Sequence, residues 1–111
     1  MDNELRYKQI QEGLEELFNG VPHEQMVIAN NLIQRIAFMQ VTLEVLEEDI
    51  KVNGTLELLK TRPRKLRERP AVKTYNALIK NYTSLIKQLM DRLPSQNADE
   101  AEDELLAFLK K

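Results

Sequence analysis

The sequence predicts an all-α chain, a long antiparallel helical hairpin with a short N-terminal helix and a short C-terminal helix. One observation behind this is compositional: with 3 Gly, 3 Phe and no Trp, the chain lacks the turn and strand formers of a sheet protein, while Leu, Glu and Lys abound. A second is periodic, because two long stretches carry apolar residues at alternating spacings of three and four. The third is punctuation, with Asn19-Gly20 and Pro22, Asn53-Gly54, Pro70 and Pro94 falling between those stretches. A length of 111 residues accommodates one compact unit. We read it as residues 1–94, followed by an acidic linker and terminal amphipathic helix over 95–111.

The first helix is expected from about Asn3 to Asn19, where Leu5, Ile10, Leu14, Leu17 and Phe18 recur at spacings close to three and four. Gly13 weakens it, so it needs a partner. From His23 to Val52 the signal strengthens, with Ile28, Leu32, Ile36, Met39, Leu43, Leu46 and Ile50 forming a seam. Val27, Phe38 and Val45 lie to one side of that seam, and Met26, Ile33 and Ala37 to the other. A helix apolar on several faces buries several faces, so Met26, Val27, Ile33, Phe38 and Val45 are expected at an interface between copies of the chain. Pro70 suits the first turn of the next helix, where its missing N–H costs nothing. Val72, Tyr75, Ile79, Tyr82, Ile86, Leu89 and Leu93 then make a heptad seam, in which the two tyrosines pack with their hydroxyls at the edge.

The connector between the two long helices exceeds the length typical of helix–helix joins, which points to structure or function of its own. Its charge is distinctive. Residues 1–52 carry ten acidic and four basic side chains, whereas residues 60–69 hold Lys60, Arg62, Arg64, Lys65, Arg67 and Arg69 against Glu68 alone. Phosphate recognition needs fixed positive charge with forked donors, which arginine supplies. Lys73, Lys80 and Lys87 follow at seven-residue intervals and stack on one helix face, extending a possible track for a nucleic-acid backbone. The competing reading makes the lysines a solvated face and pairs the arginines with the acidic first half or a neighbouring subunit.

The inventory argues against an enzyme. There is one His and no Cys, and no Gly-rich phosphate loop or nucleophile elbow, so neither a cofactor nor a metal is expected. Glu47-Glu48-Asp49 points in diverging directions on a helix, and His23 has no companion ligand. No apolar run approaches membrane-spanning length, and the acidic start Met1-Asp2-Asn3-Glu4 is unlike a signal peptide, so a cytoplasmic protein is expected. In the tail, Leu105, Leu106, Phe108 and Leu109 form an apolar cluster that either folds back on its own bundle or serves as a helix for a partner's groove.

At Arg67-Glu68-Arg69-Pro70-Ala71-Val72-Lys73-Thr74-Tyr75-Asn76, then Leu78-Ile79-Lys80, Tyr82, Leu85, Leu89 and Leu93-Pro94, the chain resembles a known family. It is similar to the small terminase subunits of tailed bacteriophages and prophages, in the group paired with cohesive-end packaging. There a long helix ends near a Gly, a polar connector follows, and a Pro-Ala-Val-like segment opens a second long helix; Gly54 and Pro70 stand at the matching places. The resemblance covers about residues 27–94. It implies a non-catalytic subunit, working in the host bacterial cytoplasm, that forms a ring and binds double-stranded viral DNA. That DNA is delivered to a large terminase subunit holding the ATPase and nuclease. Family members often carry an N-terminal helix-turn-helix, whereas residues 1–26 here supply one short acidic helix, so only a basic-surface role passes to the connector arginines. The alternatives weighed beside it are a helical assembly adaptor that touches no nucleic acid and a small DNA-binding regulator.

Overall fold

Helix α1 spans Asn3–Glu16 and buries Ile10 and Leu14 in a computed structural model that describes residues 3–93 and 106–107. Beyond Glu16 the chain tightens through i→i−3 bonds, Leu17 N–H to Leu14 O at 3.2 Å and Phe18 N–H to Glu15 O at 3.0 Å, which turn Phe18 into the core. Gly20 then takes φ 88°, a left-handed conformation that costs glycine little. Helix α2 runs His23–Asn53, 31 residues, hence about 46 Å at about 1.5 Å per residue. It stops where Gly54 adopts φ 82° and returns its N–H to Ile50 O at 2.7 Å. Helix α3 spans Pro70–Met90, with Pro70 in its first turn as its sequence suggests.

The fold is mainly helical but not all-α, which corrects the sequence expectation. Residues of the connector form strands β1, Leu56–Leu59, and β2, Lys65–Glu68, paired antiparallel with Leu56 opposite Glu68, Glu57 opposite Arg67, Leu58 opposite Leu66 and Leu59 opposite Lys65. The alternation Leu56-Glu57-Leu58 and Leu66-Arg67 suits a two-faced ribbon, and residues 60–64 close it. Arg69 N–H extends the ladder to Thr55 O at 2.8 Å.

Polar contacts between helices fix their directions. Tyr75 donates to Glu47 at 2.8 Å and Tyr82 to Gln40 at 3.0 Å, so rising positions on α3 meet falling positions on α2 and the two run antiparallel. Arg6 on α1 grips Glu44 on α2 through two nitrogens at 3.1 and 3.0 Å, and Tyr7 donates to Gln34 O at 3.1 Å. The core lies where the three helices meet, with Ile10, Leu14 and Phe18 packed among Ala29, Ile33, Ile36 and Ala37 of α2, Leu89 of α3 and Leu93 just beyond it.

This arrangement moves the buried face of α2 away from the simple seam. Ile28, expected in it, is 44% exposed, while Ile33 is fully buried. Ile33 is therefore not an interface residue between copies, and Met26 packs partly buried against the same cluster; α1 has folded back and covered this side. Val27, Phe38 and Val45 stay at the surface, 47%, 61% and 50% exposed. Val52 joins them at 70%, and all four fall within about 40° of one another at about 100° per residue. Of the tail residues, Leu106 is helical and exposed, whereas Leu105, Phe108 and Leu109 lie outside the described residues, as does most of the span 95–111. No helix among the described residues is long and apolar enough to cross a membrane.

Candidate nucleic-acid interface

The basic connector is the β-ribbon. Because β1 and β2 pair with each other and barely touch the helices, they form an arm at the junction of α2 and α3 within a molecule 62 Å long and 26 Å wide. At its base, one Arg69 nitrogen donates to Gly54 O at 2.7 Å and another to the Asp49 carboxylate at 2.8 Å. Asn53 donates to the other Asp49 oxygen at 2.8 Å. Arg69, and secondarily Asn53, hold the Asp49 carboxyl below the usual carboxylate range. Arg69 thus joins the first residue after the ribbon to the last turn of the helix before it.

The remaining cations divide by what they touch. Arg67 pairs across the ribbon with Glu57, directly opposite in register. Lys60, Arg62, Arg64 and Lys65, at the far end of the ribbon and its turn, are exposed, and their side chains have no hydrogen-bond or ion-pair partner among the described residues. The turn is shaped locally by Thr61, whose hydroxyl donates to Pro63 O at 3.0 Å, and by a cis Arg62–Pro63 peptide. The sequence treats the six cations as one set. The structure separates four outward cations from two that organise the arm.

Lys73, Lys80 and Lys87 are exposed on α3, beginning in its first turn beside the base of the arm. Their spacing places successive lysines about 10 Å apart along the axis. The two tyrosines of that helix are engaged with α2. Glu47 raises the Tyr75 pKa, and burial, reinforced by Glu44 and Glu47, pushes that of Tyr82 up to about 12. Both hydroxyls are thus engaged across the α2–α3 interface. Glu47 and Asp49 are likewise committed, to Tyr75 and Arg69. Among the described residues no three His, Cys, Asp or Glu side chains group to hold a metal ion.

Two features escaped the sequence reading. The first is the outer face of the ribbon, where Leu56, Leu58 and Leu66 are 53%, 53% and 66% exposed. The second is an open groove of about 690 Å³ between α1 and α2, lined by Tyr7, Phe38, Val41 and Val45 with Glu4 and Lys8 beside them. The signals were present as the Leu-x-Leu alternation and the seven-residue repeat of Phe38, Val45 and Val52.

Fold and surface together define a class, a helical protein with a basic β-ribbon arm. Compared with known proteins, the chain matches no family model, no curated protein and no solved structure.

Proposed function

We propose that this chain is a small terminase subunit, the non-catalytic DNA-recognition and regulatory component of a phage genome-packaging motor. The observation that carries the proposal is the cluster of unpaired Lys60, Arg62, Arg64 and Lys65 at the end of an arm that is otherwise held in place by its own ion pairs. A two-stranded ribbon fits the width of the DNA major groove, and cations at its tip meet phosphates on either side. Lys73 and Lys80 lie next along the surface and extend the contact. Copies of the chain assemble into a ring through the exposed side of α2, where Val27, Phe38 and Val45 lack cover within one chain. The terminal segment with Leu105, Leu106, Phe108 and Leu109 serves the large subunit, which supplies the ATPase and nuclease of the motor. The setting is the host bacterial cytoplasm.

The proposal is tested by fluorescence anisotropy with duplex DNA, together with light scattering. Expected are micromolar or tighter binding at low salt and an assembly larger than one chain. A monomer that ignores DNA at low salt contradicts it.

A second reading has a specific observation in its favour. Leu56, Leu58 and Leu66 make the ribbon's outer face apolar, which suits a protein partner, and a helical adaptor that binds no nucleic acid would use the arm in that way. Binding of another phage protein without DNA affinity would favour it.

A further inference from the structure

Two arginines outside the arm, Arg35 on α2 and Arg92 just beyond α3, line one open pocket together with Asn31, Gln88, Ile28 and Leu32. Helical spacing builds it. Ile28 and Leu32, Asn31 and Arg35, and Gln88 and Arg92 are each four residues apart, so each pair stacks one turn above the other. Arg92 keeps that spacing through its N–H to Leu89 O at 3.0 Å, and Leu93, buried in the core beside it, fixes this end of the helix. Two guanidiniums and two amides thus meet beside a pair of aliphatic side chains.

The lining is cationic and carries no counter-charge. No acidic side chain lines the pocket, and Asp91, which precedes Arg92 in sequence, is not part of it. Arg35 and Arg92 are exposed, and their side chains make no ion pair or hydrogen bond among the described residues. A guanidinium stays charged in any surroundings and presents forked donors that match an oxyanion, so the ligand is an anion.

The chain itself supplies one. Asp99, Glu100, Glu102, Asp103 and Glu104 place five carboxylates in six residues without a base among them. Asp99 follows Arg92 by seven residues, which span up to about 25 Å when extended, ample for a return to a pocket that Arg92 itself borders. The cations of the arm lie at the opposite end of α3, 21 residues and about 31 Å of helix away. Sharing one chain also makes the encounter intramolecular, an advantage that a free anion must match by concentration.

We infer that the acidic segment 99–104 docks its carboxylates on Arg35 and Arg92 of its own chain, a latch that holds the tail against the junction of α2 and α3. The contact is polar, so Leu106, exposed beyond it, stays available to the partner assigned to the tail. It forms without DNA and without a second copy.

The chain has no cysteine, so a disulfide placed across the contact reports it directly. Full-length Asn31→Cys/Ala101→Cys protein is oxidised at low protein concentration and low salt, and the products are separated without reductant. An intrachain disulfide at the monomer mass of 13.0 kDa is expected. It should form at least about threefold faster than in the same protein carrying R35E/R92E, because exposed ion pairs are individually weak and two act together here. That difference should vanish at about 1 M salt, where charges are screened within about 3 Å. Asn31, Arg35 and Arg92 are exposed, so helical circular dichroism should stay native in each protein. Equal rates with and without the two arginines would overturn the latch. A covalent dimer as the main product would overturn it as well, assigning the pocket to the tail of another copy. Duplex DNA affinity is read on the same proteins. The intrachain disulfide without DNA affinity supports the latch and contradicts the packaging role alone. No intrachain disulfide, with DNA binding weakened by R35E/R92E, overturns the latch and assigns the pocket to phosphate.

Discussion

Arg69 and Asp49 lie 2.8 Å apart, twenty positions removed in sequence, and their ion pair closes the base of the β-ribbon arm. The same guanidinium also satisfies the Gly54 carbonyl at 2.7 Å, so one side chain fixes both the helix end and the strand that follows. Arg69→Ala is expected to speed amide hydrogen exchange across residues 55–68 while leaving the helical circular dichroism unchanged. Because Asp49 has a depressed pKa, its contribution is present above the ordinary carboxylate value of 3.8 and is lost as pH falls below it. Arm protection should therefore decline in acid below that value in the native protein and be insensitive there in Arg69→Ala. Equal exchange in both proteins at neutral pH would show that the clasp does not hold the arm.

The grip of Arg6 on Glu44 fastens α1 to α2 in the same manner. The pair is bidentate and partly buried, with side-chain exposures of 20% and 37%, and solvent screening limits it to about 1 kcal/mol. Arg6→Ala should lower the unfolding free energy by about that amount. Hydrogen bonding from Arg6 lowers the Glu44 pKa from 4.5, so the contribution is complete above pH 4.5 and disappears as pH falls through the depressed value. Urea unfolding at pH 7 and at pH 3 checks this, with the difference between native and variant proteins shrinking at the lower pH.

Ile33 and Val45 test the division of α2 into an inner and an outer face. Ile33 is fully buried in the cluster of Ile10, Leu14 and Leu89, so Ile33→Ala should cost about 3 kcal/mol through lost burial and a cavity. Val45 is 50% exposed, and Val45→Ala should change the stability of the monomer by less than about 0.5 kcal/mol. Denaturant unfolding at low protein concentration separates the two. Comparable losses would place Val45 in the chain's own core.

Tyr82 carries a polar contact inside the α2–α3 interface, donating to Gln40, which is 8% exposed. Tyr82→Phe leaves that amide oxygen without its donor and should cost about 1 kcal/mol. The raised phenol pKa means its stabilising effect is complete below pH 10 and is lost as pH rises toward about 12. Ultraviolet titration should show one late-ionising tyrosine near that pH, absent in Tyr82→Phe.

The three helices were legible because long three-and-four periodicity, Pro70 and the Gly54 stop are local signals that packing reinforced. Their faces were less legible. The seam through Ile28 and Leu32 assumes one partner for α2, but α1 returns along it and draws Ile33 and Ala37 inside, leaving Ile28 exposed. No single-helix projection contains that competition. The ribbon was missed because its pairing joins Glu57 to Arg67 across ten residues, a relationship invisible to periodicity in a four-residue strand. The basic candidates were found by charge alone, which cannot tell Arg67 and Arg69, occupied within the arm, from Arg62 and Arg64, which are not.

The central claim is that the arm's outward cations bind nucleic-acid phosphates, and the most direct measurement is duplex DNA affinity as a function of salt. The native protein is compared with a Lys60, Arg62, Arg64 and Lys65 to Ala variant, with Arg67→Ala as the control for a cation already paired. Each phosphate contact contributes about 0.9 to the slope of log affinity against log salt, so the fourfold variant should lose about 3 to 4 from that slope and bind at least about tenfold more weakly. Arg67→Ala should remain close to native. Native-like affinity and slope in the fourfold variant would contradict the account.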